Sequence, residues 1–334
     1  MSDERREQLG RWLAGVMNPA PVDLQPASGD ASFRRYFRVT TTGASRIAMD
    51  APPPEEDCRP FVRIAAMLAD MGLNAPRVLA SDFDAGFLLL TDLGDRQYLD
   101  VLRGEPHRAP RLYRDALQAL AILQHKGRNY QSKLPPYDAS LLARELQLFR
   151  DWLCGTHLEL EFSAADEHAW QRTCDVLIEA ALAQPRVFVH RDYHSRNLTP
   201  CDGANPGILD FQDAVEGPLT YDLVSLLKDC YIRWSPEQTR SRAVGFFRLR
   251  HEALPAALDR AAFLRAFDLM GVQRHLKAAG IFARLSHRDG KDGYLADVPR
   301  TLRYVTAVAG EFPELAFLGR LLDDRCLPRL EAAA

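Results

Sequence analysis

The chain has 334 residues, 47% hydrophobic and 26% charged, an ordinary globular balance that excludes a disordered chain, a collagen-like repeat and a coiled-coil rod. Its 42 basic and 45 acidic side chains give a net charge of −3, so no basic excess points to nucleic acid or an anionic membrane as partner. No apolar run approaches the roughly 18 residues that span a bilayer. The charged start lacks the apolar core of a signal peptide, and the six cysteines (58, 154, 174, 201, 230, 326) contain no C-x-x-C pair. These features predict a soluble, cytoplasmic protein with reduced thiols and no structural zinc.

In chain order, residues 3–17 read as a helix with Leu9, Trp12, Leu13 and Val16 on one side. A Pro-rich break at 19–26 follows. Two strands, 33–40 and 46–50, are joined by a Thr-Thr-Gly-Ala turn. A helix over 57–71 has Pro60 in its first turn and Gly72 as its stop. Short strands at 77–80 and 86–91 complete a small antiparallel unit. From about 97 onward helices dominate (97–103, 109–125, 140–154, 164–184 and several between 219 and 330), interrupted by brief strand signals at 187–189 and 207–209. A strand-rich front and a helical back predict two lobes meeting near 91–97.

The basic residues are skewed: 37 are Arg and only five are Lys (126, 133, 228, 277, 291). Codon bias accounts for the skew, but it constrains mechanism, because no lysine lies in the first third of the chain.

The segment with most chemical content is His190-Arg191-Asp192-Tyr193-His194-Ser195-Arg196-Asn197. Its H-R-D-x-x-x-x-N spacing matches the kinase catalytic loop, in which the Asp accepts and orients the acceptor hydroxyl and the Asn turns an amide oxygen toward a magnesium ion. Further on, Ile208-Leu209-Asp210-Phe211 ends a strand in an aspartate, where a second hard oxygen ligand for Mg²⁺ belongs. His190 and Arg191 read as braces of the loop. A competing reading groups His190, Asp192 and His194 as a metal cluster for hydrolysis, which leaves Asn197 and Asp210 unexplained.

Nucleotide binding is expected in the front lobe. Gly29, Asp30, Ala31, Ser32 and Phe33, with Arg34, lie before the first predicted strand, where backbone N–H groups could cover phosphates. The strand lysine of protein kinases is absent, and Met49 stands near its place. Arg34, Arg35 and Arg38 are the candidate substitutes, and Glu55, Glu56 and Asp57 the candidate helix acids. Thr91, Asp92 and Leu93 have the form of a hinge whose backbone would meet adenine.

With these motifs in this order, the sequence resembles the aminoglycoside phosphotransferase and choline kinase-like superfamily of small-molecule kinases. Within it, Gly29–Phe37, Met49-Asp50-Ala51-Pro52-Pro53 and Asp210–Asp213 through Gly217–Asp222 resemble the anomeric amino-sugar kinases of bacterial cell-wall recycling. The resemblance implies an α+β, bilobal, protein-kinase-like fold: a small β-rich N-lobe with one helix (1–92) that binds nucleotide, and a large, mainly helical C-lobe (93–334). It also implies ATP and Mg²⁺ as cofactors and phosphorylation of the anomeric hydroxyl of N-acetylmuramate and N-acetylglucosamine, on a route that bypasses the fosfomycin-sensitive step. Asp192 becomes the general base, and Asn197 and Asp210 the metal ligands. Gln212 replaces the glycine of the protein-kinase metal motif, so no protein-kinase activation switch is implied.

For the sugar, Asp213, Tyr231, Arg233 and Trp234 are the candidates, the last three placed with Tyr221, Asp222 and Asp229 on the helix after the metal strand. Arg233 could pair with the lactyl carboxylate of N-acetylmuramate. A kinase of another small hydroxyl compound (an aminoglycoside, choline or homoserine) and a non-catalytic nucleotide-binding regulator are the alternatives.

Overall fold

The computed structural model describes residues 4–18, 23–29, 33–41, 44–256 and 258–332. The chain divides into two compact units, residues 1–123 with 196–213 and residues 124–195 with 214–334.

The first unit is built on a five-stranded antiparallel sheet of β1 (Asp23–Gly29), β2 (Arg35–Thr41), β3 (Ala44–Asp50), β4 (Val78–Asp82) and β5 (Phe87–Thr91) in the order β1-β2-β3-β5-β4. Helix α1 (Glu4–Val16) lays Leu9 and Leu13 onto Phe37, Val39, Ala48, Phe87 and Leu89, one face of the sheet selected by strand alternation. Two arginines fix this packing: Arg5 from α1 and Arg35 from β2 both close on the fully buried Asp50, at 2.5 and 2.6 Å. Helices α2 (Arg59–Asp70), α3 (Tyr98–Gly104) and the first part of α4 (Ala109–Lys126) belong to the same unit, as does the hairpin β7 (Leu198–Thr199) with β8 (Gly207–Ile208).

The second unit contains α5 (Ala139–Leu148), α6 (Ala164–Leu182), α7 (Tyr221–Leu227), α8 (Pro236–Arg250), α9 (Arg260–Asp289), α10 (Val298–Ala309), α11 (Ala316–Arg320) and α12 (Leu327–Ala332). A two-stranded ribbon of β6 (Arg186–Val189) with β9 (Val215–Pro218) leads into the 190–195 loop. The 30-residue α9 is the axis of this unit, with buried side chains on every side. At Gly280 its backbone comes so close to the end of α5 that a Cβ would stand 2.3 Å from the Leu148 carbonyl carbon.

Three sequence expectations are corrected. Residues 23–29 form a strand, not a break: β1 is an edge strand paired with β2 alone, so Pro26 removes no bond that the sheet needs. The 29–33 segment therefore lies between the first and second strands rather than before the first. The helix predicted to 154 stops at Leu148 and continues to His157 with wider, π-type turns. The helix after Asp210 ends at Leu227, so Asp229, Tyr231, Arg233 and Trp234 stand on the segment between α7 and α8 rather than on a helix face.

Candidate active site

The loop that follows β6 is braced through its own backbone. Asp222, buried in the first turn of α7, accepts from the N–H groups of His190 (2.7 Å) and Arg191 (3.0 Å). Asp229, also buried, accepts from Ser195 N (2.9 Å) and Tyr231 N (2.8 Å). His190 is fully buried, and its Nδ1 accepts from Asp192 N at 3.2 Å, so it braces the loop as expected. Arg191 adopts φ 78°, a left-handed conformation that a side-chain-bearing residue holds only where its surroundings fix it.

The Arg191 side chain enters a buried polar cluster. Its Nη2 lies 2.6 Å from Glu145 of α5, Lys277 Nζ of α9 is 3.0 Å from the same carboxylate oxygen, and the Tyr137 hydroxyl and Gln273 amide donate to the other oxygen. Lys277 also donates to the Tyr221 hydroxyl at 3.0 Å. Burial pushes the Glu145 carboxyl up, but the charges of Lys277 and Arg191 and the Tyr137 hydrogen bond outweigh it and hold the group below its usual range.

Asp192 shows the same balance. Burial raises it, and Lys277, His194, Arg274 and Arg191 together hold it below the usual carboxylate range, so it is ionised at neutral pH. Its side chain is still 40% exposed. Asp222 goes the other way: burial, only partly offset by its two backbone donors, pushes it up to about 7.

In the first unit, Asn197 and Asp210, 13 positions apart, come together with the Asn197 amide donating to Asp210 Oδ2 at 3.1 Å. Asp210 Oδ1 accepts from Gln212 Nε2 (2.9 Å) and faces Arg34 Nη2 (3.5 Å). Asp210 has φ 60°, a second side-chain-bearing residue in the left-handed region. It is flanked by the Leu209 N–H bond to Asn197 O (2.9 Å) and by Phe211, buried against Phe61 of α2 with ring centroids 4.6 Å apart. One carboxylate and one amide form a hard oxygen donor set that suits Mg²⁺, an ion that keeps water and phosphate oxygens as its other ligands.

Arg34 is the one of the three candidate arginines that faces Asp210. Arg35 pairs with Asp50, and Arg38 grips Asp92 with two bonds of 2.7 and 3.1 Å. Met49 is fully buried in β3, and Glu56 accepts from Phe33 N at 3.2 Å. Gly29 ends β1 opposite Arg35, Phe33 is 67% exposed, and Asp30, Ala31 and Ser32 lie outside the described residues. In the hinge, Thr91 exchanges hydrogen bonds with Arg77 backbone groups. The Asp92 side chain is engaged by Arg38, Ser45 and Gly94 N, whose bonds outweigh burial and keep it ionised. Leu93 O faces the Cys201 thiol at 3.6 Å.

Of the sugar candidates, Tyr231 packs edge-on against His194 at 5.4 Å, beside the 190–195 loop. Arg233 is exposed and lies over the Tyr304 ring at 5.2 Å, Trp234 carries Arg242 above its ring at 5.0 Å, and Asp213 is exposed next to Gln212. Among the described residues no three His, Cys, Asp or Glu side chains form a metal cluster, which removes the hydrolase reading of His190, Asp192 and His194. No helix is long and apolar enough to cross a membrane, among the described residues.

Sequence reasoning missed Glu145, Lys277 and Gln273. Two signals were present: an acidic residue between Leu142 and Leu146 on the apolar side of α5, and a lysine kept in a chain that otherwise uses arginine.

A model of the phosphotransferase enzyme family matches residues 23–264. The N-acetylmuramate/N-acetylglucosamine kinase of Pseudomonas aeruginosa is 48% identical, over 96% of this chain and 97% of its own length. The protein of that name from Neisseria meningitidis is 42% identical, over 96% and 95%. Among solved structures, choline kinase from Streptococcus pneumoniae superposes with a TM-score of 0.63 at 11% identity, over 92% of this chain and 100% of that one. A thermostable mutant of an aminoglycoside phosphotransferase superposes at 0.60 and 15% identity, over 91% and 99%. The fold is thus that of the aminoglycoside phosphotransferases and choline kinases, and the chain belongs to the phosphotransferase enzyme family.

Proposed function

We propose that the chain transfers the γ-phosphoryl group of ATP to the anomeric hydroxyl of N-acetylmuramate and N-acetylglucosamine, giving the 1-phosphates. The observation that carries this reading is Asp192 on a loop braced by buried Asp222 and Asp229, in a chain nearly half identical to kinases of that name over almost their full length.

Phosphoryl transfer depends mostly on positioning and charge, with little covalent work for the protein. Asp192 accepts the proton of the acceptor hydroxyl and directs its oxygen in line with the γ-phosphorus. The Asp222 and Asp229 braces fix where that carboxylate stands, and the cluster around Glu145 supplies the positive charge that keeps it ionised. Asn197 and Asp210 would hold a Mg²⁺ ion, which would supply neutralisation of the β- and γ-phosphate charge. Arg34, beside Asp210, takes the part of the missing strand lysine.

Residues 1–92 form the nucleotide lobe on this reading, with Arg34 at the phosphates, Met49 as apolar floor and the 91–93 backbone at the adenine edge. Residues 93–334 supply the catalytic loop, the metal ligands and the sugar contacts, among them Asp213, Tyr231, Arg233 and Trp234. The products fit peptidoglycan recycling towards UDP-N-acetylmuramate in the cytoplasm, and through it intrinsic resistance to fosfomycin.

The test is ATP consumption with N-acetylmuramate, N-acetylglucosamine, kanamycin, choline and homoserine, with the product located by phosphorus NMR. A 1-phosphate from the amino sugars is expected. Turnover of another acceptor in their place would overturn the sugar assignment while leaving the transfer chemistry.

A further inference from the structure

Helix α9 carries Gln273, Arg274, His275 and Lys277 within one stretch, and all four are buried. The charge of Lys277 and the ring nitrogens of His275 are matched by groups of the protein: Lys277 pairs with Glu145 and Tyr221, and the two ring nitrogens face the carbonyls of Gly271 and Lys228. Gln273 is engaged with Glu145 through its amide nitrogen, its Oε1 having no partner among the described residues.

Arg274 differs. It is 5% exposed, its one hydrogen bond runs from Nη1 to the Cys230 sulfur at 3.6 Å, and its Nε has no partner among the described residues. No described carboxylate comes within ion-pair distance of it, although its charge acts on Asp192 and Asp229. A buried guanidinium without a counter-ion is unfavourable by several kcal/mol, so an anion brought by a ligand would have a large effect there. Arg250 is also buried with unpaired nitrogens, but the charge it feels is that of Arg128 rather than a carboxylate of the loop.

We propose that Arg274 is the specificity residue for an acceptor carboxylate. This rests on the sugar-kinase reading. N-acetylmuramate carries a lactyl carboxylate at O3, which N-acetylglucosamine lacks, and the two sugars are otherwise alike. O3 and the anomeric oxygen stand on carbons separated by C2, so a guanidinium whose charge acts on Asp192 without bonding it can hold the carboxylate while Asp192 holds the reacting hydroxyl. Arg233, the arginine that the sequence offered for this role, is exposed and cannot desolvate an ion pair. A planar fork in a buried setting can engage both carboxylate oxygens.

The test measures kcat/KM of the wild type, Arg274→Gln and Arg274→Lys on both sugars and on the methyl ester of N-acetylmuramate. Any loss common to both sugars reports the effect of the Arg274 charge on Asp192. The ratio of N-acetylmuramate to N-acetylglucosamine reports the carboxylate contact. Arg274→Gln is expected to lower that ratio by about 30-fold, the range of a charge-assisted pair, with the Lys variant between. The wild type should prefer the acid to its ester by a similar factor, and Arg274→Gln should not.

An unchanged ratio in Arg274→Gln would overturn the proposal. So would a wild type indifferent to esterification, a comparison that holds even if the variants do not fold. A wild type that phosphorylates neither sugar would instead remove the reading on which the proposal rests.

Discussion

Asp192 and Asp210 are held in place by different means. Around Asp192 the backbone is fixed: two buried carboxylates, Asp222 and Asp229, take N–H groups on either side of it, and Arg191 is locked into the Glu145 cluster. Around Asp210 the carboxylate itself is engaged, by Asn197, Gln212 and Arg34, on a residue in a strained backbone conformation. The contrast suits the two proposed roles. A base must stand in one place through the reaction, whereas a metal ligand must exchange its partners each time nucleotide and cation arrive and leave. Rigid support from beneath serves the first, and replaceable hydrogen bonds to the side chain serve the second.

The sharpest way to break this comparison is at the base. Asp192→Asn should lower kcat by about 10²–10⁴-fold, the range for loss of a positioned acid–base group, with ADP affinity by calorimetry little altered. A kcat within tenfold of the wild type would remove Asp192 from the chemistry. Next comes its support. Asp222→Ala leaves the buried N–H groups of His190 and Arg191 without acceptors, at about 1–3 kcal/mol each, so urea denaturation should show a loss of about 2–5 kcal/mol together with slower turnover. Full stability in that variant would mean that the loop is held by something other than its carboxylate braces.

At the other carboxylate, Asp210→Asn should weaken Mg²⁺-dependent ATP binding by about 100-fold and barely change folding, because the side-chain contacts there are exchangeable. A loss of stability as large as that of Asp222→Ala would erase the distinction. Arg34→Met should raise the KM for ATP about tenfold, as expected for removal of one charged phosphate contact, with a smaller effect on the acceptor KM. A further effect is in pH.

Asp222 has a native pKa raised to about 7, above its ordinary value of 3.8. Its contribution to stability is therefore complete below about pH 4 and lost as pH rises through 7, by at most about 1.4 kcal/mol per unit. Glu145 has a lowered pKa, so its contribution is lost only below that window, as pH falls. Denaturation curves between pH 4 and 8 should show a decline that Asp222→Asn removes.

The reach of the sequence can be judged residue by residue. The H-R-D-x-x-x-x-N spacing and Asp210 after its strand named the residues proposed for base and metal because these roles require fixed side-chain types at fixed separations. The helices followed from apolar periodicity, and most strands from β-branched and aromatic runs between turn residues. The edge strand β1 was hidden by Pro26, whose effect depends on whether a neighbour needs its N–H. The segment after α7 was misread because Leu227 ends the helix in a stretch whose side chains stay buried.

Which arginine faces Asp210 was not legible either, since Arg34, Arg35 and Arg38 sit in one run and only strand pairing sends two of them to Asp50 and Asp92. The charge cluster of Glu145, Arg191, Gln273 and Lys277 draws on α5, the 190–195 loop and α9, segments far apart in the chain. The sequence by itself therefore determined most element types, the candidate carboxylates and the family. Tertiary structure alone decided which charges are paired, which backbone groups are braced and which buried guanidinium groups lack a counter-ion, because burial and partner choice depend on distances between residues that no local pattern encodes.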